Sequence, residues 1–196
     1  VTEMITGLDL VKIQIRVAEG EKLPFAQEDL AINGHAIEVR VYAEDPANNF
    51  LPDIGTLVTY RPPQGPGVRV DDGFEEGMTI PIHYDPMIAK LITHGATRAE
   101  AIARMERAID DYAVGGIETT LPFCRFVMGH PAFTSGKYDT HFVRDHFNPG
   151  VLLGTDAGDM EAAALVAAHL RAEAQRRPAP ETAGSGRASA WKLRRR

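Results

Sequence analysis

Between Gly34 and Pro46 the chain reads Gly-His-Ala-Ile-Glu-Val-Arg-Val-Tyr-Ala-Glu-Asp-Pro, and no other stretch limits its fold as sharply. Ile37, Val39, Val41 and Ala43 alternate with Glu38, Arg40, Tyr42 and Glu44. A period of two over this length marks a half-buried β-strand, because successive side chains leave a strand on opposite faces. Arg40 therefore stands on the polar face, two residues from Glu38. A guanidinium does not lose its proton near neutral pH, so Arg40 is excluded as a base and suited to be a fixed donor for an oxyanion. The plainer alternative is an exposed strand carrying a surface ion pair worth roughly 0–1 kcal/mol.

The segments around this strand predict the fold class. Thr2 to Gly20 reads as a helix, with a capping arrangement at Thr6 and Asp9 and a stop at Gly20. Val11, Ile13, Ile15 and Val17 alternate within it like a strand. Thr56 to Tyr60 and Val68 to Asp71 flank a Pro/Gly-rich connection and predict a hairpin. Met78 to His83 and Met87 to His94 repeat that design around Tyr84, Asp85 and Pro86. Thr97 and Glu100 form a Thr-x-x-Glu capping box. Beyond it Ile102, Met105, Ile109 and Tyr112 recur as one apolar helical face that ends at Gly115 and Gly116. Helix, antiparallel sheet, helix is an α+β order with flanking helices, rather than a doubly wound parallel sheet.

Composition divides the chain. Residues 1–150 hold 13 Lys/Arg against 22 Asp/Glu, whereas residues 151–196 hold 8 against 5. The first part reads as an acidic domain and the second as an Ala-rich helical tail, Asp159 to Arg177, followed by a Pro/Ala/Gly/Ser linker, Pro178 to Ser189. The basic end, Trp191 to Arg196, reads as a solvated terminus. The net charge of −6 gives no support for nucleic-acid binding. Cys124 is the one cysteine among the 196 residues. That excludes an internal disulfide and a cysteine-based metal site, and in its apolar setting Cys124 reads as a small buried hydrophobe. His35, His83, His94, His130, His141 and His146 show no metal-ligand spacing, so no metal is expected. No run reaches the roughly 18 apolar residues of a membrane span, and no signal peptide opens the chain; a cytoplasmic location is the expectation. Because the sequence starts at Val1 and runs straight into Thr-Glu-Met-Ile-Thr-Gly, a piece of a longer polypeptide is also expected.

Several motifs occur in a telling order: Val1-Thr-Glu-Met-Ile-Thr-Gly7, Gly34-His-Ala-x-Glu-x-Arg40, Ala43-Glu-Asp-Pro46 and Phe50-Leu-Pro52. Gly67-Val-Arg69, Tyr84-Asp-x-Met-Ile-x-Lys90, His94-Gly95, Ala101-Ile-x-Arg-Met105 and Gly116-Ile-x-Thr119 follow. Together, over about residues 1–147, they make the chain resemble the C-terminal domain of biotin carboxylase, the ATP-grasp component of acetyl-, propionyl-, methylcrotonyl- and pyruvate-carboxylase systems. The resemblance implies chemistry in which bicarbonate and ATP form carboxyphosphate, carboxyphosphate yields carbon dioxide, and the deprotonated ureido group of biotin attacks it. Arg40 matches the arginine that stabilises the biotin enolate. Asp85 matches a residue that orients this arginine or borders the biotin pocket, with a turn-forming Asp before Pro86 as the equal alternative; Glu38 is a second candidate orienter. Lys90 reads as a snorkelling lysine rather than a phosphate contact. Arg69 matches a position at the homodimer contact.

The same resemblance places the phosphate loop, the metal-binding glutamates and the bicarbonate site ahead of Val1. ATP, Mg2+ and carrier-attached biotin are therefore implied for the full enzyme and none for this chain alone, which is expected to be inactive by itself. No Met-Lys-Met motif occurs, so biotin is not attached here. The implied partners are a biotin carboxyl carrier domain and a carboxyltransferase component. A different class of function, a non-catalytic self-association module, is the alternative for the isolated chain.

Overall fold

The computed structural model describes residues 1–81, 84–152 and 164–171. The chain divides into one compact unit, Val1–Leu153, and a second, Gly154–Arg196. In the second unit residues 164–171 are helical and exposed, inside the predicted Ala-rich helix. The predicted linker and the basic end lie outside the described residues, as does His83.

The first unit is built on three antiparallel strands: β1 (His35–Tyr42), β5 (Val68–Asp72) and β6 (Met87–Gly95), in the spatial order β1-β6-β5. Its α+β class and antiparallel pairing are as the sequence predicts. Register places Val39 opposite Leu91 and Leu91 opposite Val70, so one face of the sheet is apolar. Helix α3 (Arg98–Asp110) packs there and buries Ala101, Ile102, Met105, Ala108 and Ile109. Each large apolar side chain so buried contributes about 1.5–3 kcal/mol. Thr93, fully buried on this face, donates its hydroxyl to the Ala101 carbonyl at 2.9 Å. The Thr97 side chain caps α3 by accepting from the Glu100 N–H, while Glu100 accepts from Ala96, so the capping box is present one residue out of its usual frame.

Two short ladders complete the architecture. Strands β2 (Glu44–Asp45) and β3 (Leu51–Pro52) pair, and β4 (Thr59–Arg61) pairs with β7 (Ala113–Gly115). Helices α4 (Leu121–Gly129), α5 (Pro131–Thr134) and α6 (Phe142–His146) follow. The predicted first hairpin is therefore corrected. Its two arms do not pair with each other: one joins β7 and the other joins β6. The second is corrected likewise: among the described residues of its first arm Thr79 makes an isolated bridge to Thr56, while β6 sits centrally between β1 and β5.

The predicted first helix is two helices, α1 (Thr2–Thr6) and α2 (Leu10–Ala18). Gly7 stops α1 at φ 72°, a left-handed position that glycine enters without a Cβ penalty. Asp9 then caps α2 by accepting from the Lys12 N–H. No residue of α2 is buried, and Val11, Ile15 and Val17 are exposed.

Candidate functional site

The second face of the sheet carries the polar side chains of β1. Register places Arg40 opposite Lys90 and Lys90 opposite Asp71, so the three form a row across the strands. Arg40 and Lys90 are like charges directly opposite one another, an arrangement that costs stability. The Arg40 side chain is 58% exposed, and its Nε lies 3.7 Å from Glu38 Oε1. Tyr42, and then Glu38, push its pKa up from an already high value, so it is a permanent cation.

Thr120 fixes the backbone beneath this guanidinium. Strand β1 is an edge strand whose outer groups need partners. The Tyr42 N–H donates to Thr120 Oγ1 at 3.0 Å, that hydroxyl donates to the Arg40 carbonyl at 3.1 Å, and the Thr120 N–H donates to the Tyr42 carbonyl at 3.1 Å. Thr120 is buried. Sequence reasoning overlooked it; the Thr119-Thr120 pair just before the helix-initiating Leu121-Pro122 was the available signal.

Arg40 borders a cleft of about 360 Å³, whose rim includes Glu38 and Glu44 and whose wall includes Phe50, Phe123 and Val127. Phe50 holds φ 57°, a conformation rare for a bulky L residue. Its ring packs edge-on against Phe123, centroids 5.1 Å apart, and tilted against Phe147 at 5.7 Å. Partial desolvation, then the nearby Asp85, raises the Glu44 pKa above the ordinary carboxylate value. Cys124 also lines the cleft, where burial pushes its thiol up to about 12, as fits a small hydrophobe rather than a nucleophile.

The remaining sequence-selected residues have definite places. Asp85 is exposed and accepts from the Met87 N–H at 2.9 Å, the turn-forming arrangement, and its charge acts on Glu44. The carboxylate beside Arg40 is that of Glu38. Arg69 is engaged within its own chain: Nη1 donates to Glu3 Oε2 at 2.6 Å and Nε to Asp71 Oδ1 at 2.7 Å. Glu3 also accepts from the Leu10 N–H, and these contacts, Arg69 foremost, hold its carboxyl below the ordinary range. Among the described residues no group of three His, Cys, Asp or Glu side chains is arranged to hold a metal ion, and no helix is long and apolar enough to cross a membrane.

The Biotin carboxylase C-terminal domain family matches residues 38–145, and the chain belongs to it. The Carbamoyl-phosphate synthase L chain ATP binding domain family matches residues 1–26. The chain is 51% identical over 146 residues to Biotin carboxylase 1 of Bacillus subtilis (strain 168), covering 74% of this chain and 32% of that protein. It is 50% identical over 152 residues to the mitochondrial Propionyl-CoA carboxylase alpha chain of Mus musculus, covering 76% and 21%. The chain thus spans about a third or less of the length of these curated relatives. Among solved structures, the biotin carboxylase domain dimer of Hydrogenobacter thermophilus 2-oxoglutarate carboxylase, in complex with MgADP, ADP and bicarbonate, matches with a TM-score of 0.75 and 42% identity. That match covers 80% of this chain and 34% of the other.

Proposed function

We propose that this chain is the biotin-side part of a cytoplasmic biotin carboxylase, an ATP-dependent ligase that carboxylates carrier-attached biotin for a carboxyltransferase component. The observation that carries the reading is Arg40: a permanent cation on a rigid strand, its backbone bracketed on the outer edge, exposed at the mouth of an apolar cleft. As the ureido proton of biotin leaves, negative charge gathers on the ureido oxygen. A donor already in place stabilises that charge without reorganising, and Arg40 supplies it. Glu38 steadies the guanidinium from one side, and Lys90 strengthens the positive potential.

Among the described residues no group of carboxylates is arranged to hold Mg2+, and no glycine-rich loop has the form that cradles a phosphate. The glycines of Gln64-Gly-Pro-Gly67 alternate with proline and carry no lysine, unlike a phosphate loop. We therefore assign those groups to other parts of the enzyme. The test compares this chain alone with the same chain preceded by an ATP-binding module from a relative. The chain alone is expected to release no phosphate from ATP in the presence of bicarbonate, and the joined protein to carboxylate free biotin. A joined protein that folds and binds ATP but leaves biotin unchanged would overturn the reading.

The homodimer contact is also assigned to this domain, with Arg69 at its edge. Since Glu3 and Asp71 already hold this guanidinium, Arg69→Glu gathers three carboxylates on one patch. In a two-fold interface each change acts twice. Sedimentation across a concentration series is expected to show weaker dimers for Arg69→Glu than for the parent chain; identical curves would remove Arg69 from the contact. Glu3→Gln, which loses only the internal pair, separates that effect from the interface.

A further inference from the structure

We infer that Thr120 is a positioning residue for the biotin carboxylation step: it sets the height and direction of Arg40 by closing the outer edge of β1 from the Arg40 carbonyl to Tyr42. The inference rests on the role proposed for Arg40 and adds the residue through which that role is maintained. Strand β6 holds β1 from the inner side only. On the outer side, three hydrogen bonds of 3.0–3.1 Å run between Thr120 and the Arg40–Tyr42 segment. Two of them use one hydroxyl, which donates to the Arg40 carbonyl and accepts from the Tyr42 N–H. No hydrocarbon side chain reproduces that pairing. Valine has the same shape as threonine, and in its place both backbone groups would lose their partner in a partly buried setting.

The bracket also joins Arg40 to the cleft wall. The Thr120 carbonyl accepts from the Cys124 N–H at 2.9 Å, in the first turn of α4, and Phe123, Cys124 and Val127 of that helix line the cleft. Arg40 and the apolar wall beside it are thus parts of one hydrogen-bonded unit with Thr120 at its centre. A substrate whose polar group meets Arg40 and whose apolar part lies on α4 is gripped by two surfaces of fixed spacing. A displacement of about 1 Å in such an arrangement costs up to about 10²-fold in rate.

Two measurements test this. In the chain as it stands, hydrogen exchange is expected to show the Tyr42 amide protected to the level of amides paired between β1 and β6. An unprotected Tyr42 amide in the parent chain would overturn the inference, and this measurement requires no variant to fold. In the joined enzyme, with free biotin as the probe, Thr120→Val is expected to lower kcat by about 10- to 100-fold with KM for ATP unchanged. Thr120→Ser, which keeps the hydroxyl, restores most of that loss. Arg40→Ala is measured alongside. If Arg40→Ala is impaired and Thr120→Val is as active as the parent, the inference about Thr120 fails alone. If Arg40→Ala is itself unimpaired, the role proposed for Arg40 fails first. A loss in Thr120→Ser equal to that in Thr120→Val would also count against the hydroxyl bracket.

Discussion

Replacing Arg40 by alanine in the assembled enzyme is expected to lower biotin carboxylation by roughly 10²–10³-fold, the usual cost of removing one preorganised oxyanion donor. ATP binding is expected to stay near its starting value. The asymmetry follows from geometry. Arg40 is exposed on a strand, and the described contacts of its side chain are with Glu38 and Tyr42, so truncation leaves the core untouched. Arg40→Lys is expected to recover little, because an ammonium is a compact charge without the planar two-donor fork. Turnover measured with free biotin, together with nucleotide affinity, gives both quantities. Near-normal turnover in both variants would reduce Arg40 to one half of a surface ion pair with Glu38.

The largest stability effect is expected at Leu91. It is fully buried in the central strand, with Val39 opposite on one side and Val70 on the other, and it lies on the face covered by α3. Neighbours on both flanking strands and a helix above leave little room for collapse around a void. Leu91→Ala is expected to cost about 2–5 kcal/mol, a large share of the roughly 5–15 kcal/mol that holds a domain of this kind together. Urea titration of the parent and variant measures it. Leu91→Met, which nearly conserves volume, is expected to cost less than about 1.5 kcal/mol. Equal losses for the two would show that the side chain's shape, not its volume, matters here.

What the sequence revealed, and what it concealed, follows from the range of each signal. The alternation of β1 and the periodic face of α3 are local, and both elements form where those residues lie, although α3 ends at Asp110, short of Tyr112, and Ala113–Gly115 form β7 rather than the end of the helix. Strand pairing is not local. The Pro/Gly connection between β4 and β5 is a good place for a hairpin, yet Tyr60 pairs with Val114 and Arg69 with Ile92. The available clue was the near-continuous apolar run from Met87 to Thr93. That is the composition of a strand with neighbours on both sides rather than a hairpin arm with one. At Gly7 the helix breaks because a left-handed residue followed by the Asp9 cap outweighs the length of the helical run. For the proposed site, the position of Arg40 on the exposed face was legible because the alternation of its strand displays it. Thr120 was hidden, because its importance lies in hydrogen bonds to backbone 80 positions away. For Asp85 the sequence offered a turn and a place beside the biotin pocket equally; its hydrogen bond from the Met87 N–H is the turn-forming one.

The spatial order β1-β6-β5 also imposes an order in time. The middle strand is the last of the three along the chain, and His35 pairs with Gly95. During synthesis, the segment bearing Arg40 therefore leaves the ribosome well before the strand that will hold it, and its outer edge waits longer still for Thr120. Pairings between distant segments are slow to form, since the loop must close before any contact repays it. In that interval β1 is a lone strand with one apolar face and two open edges, the form that recruits a strand from another chain. Pauses in translation before residue 95 lengthen that interval, so the yield of folded protein depends on how quickly the ribosome moves from β1 to β6.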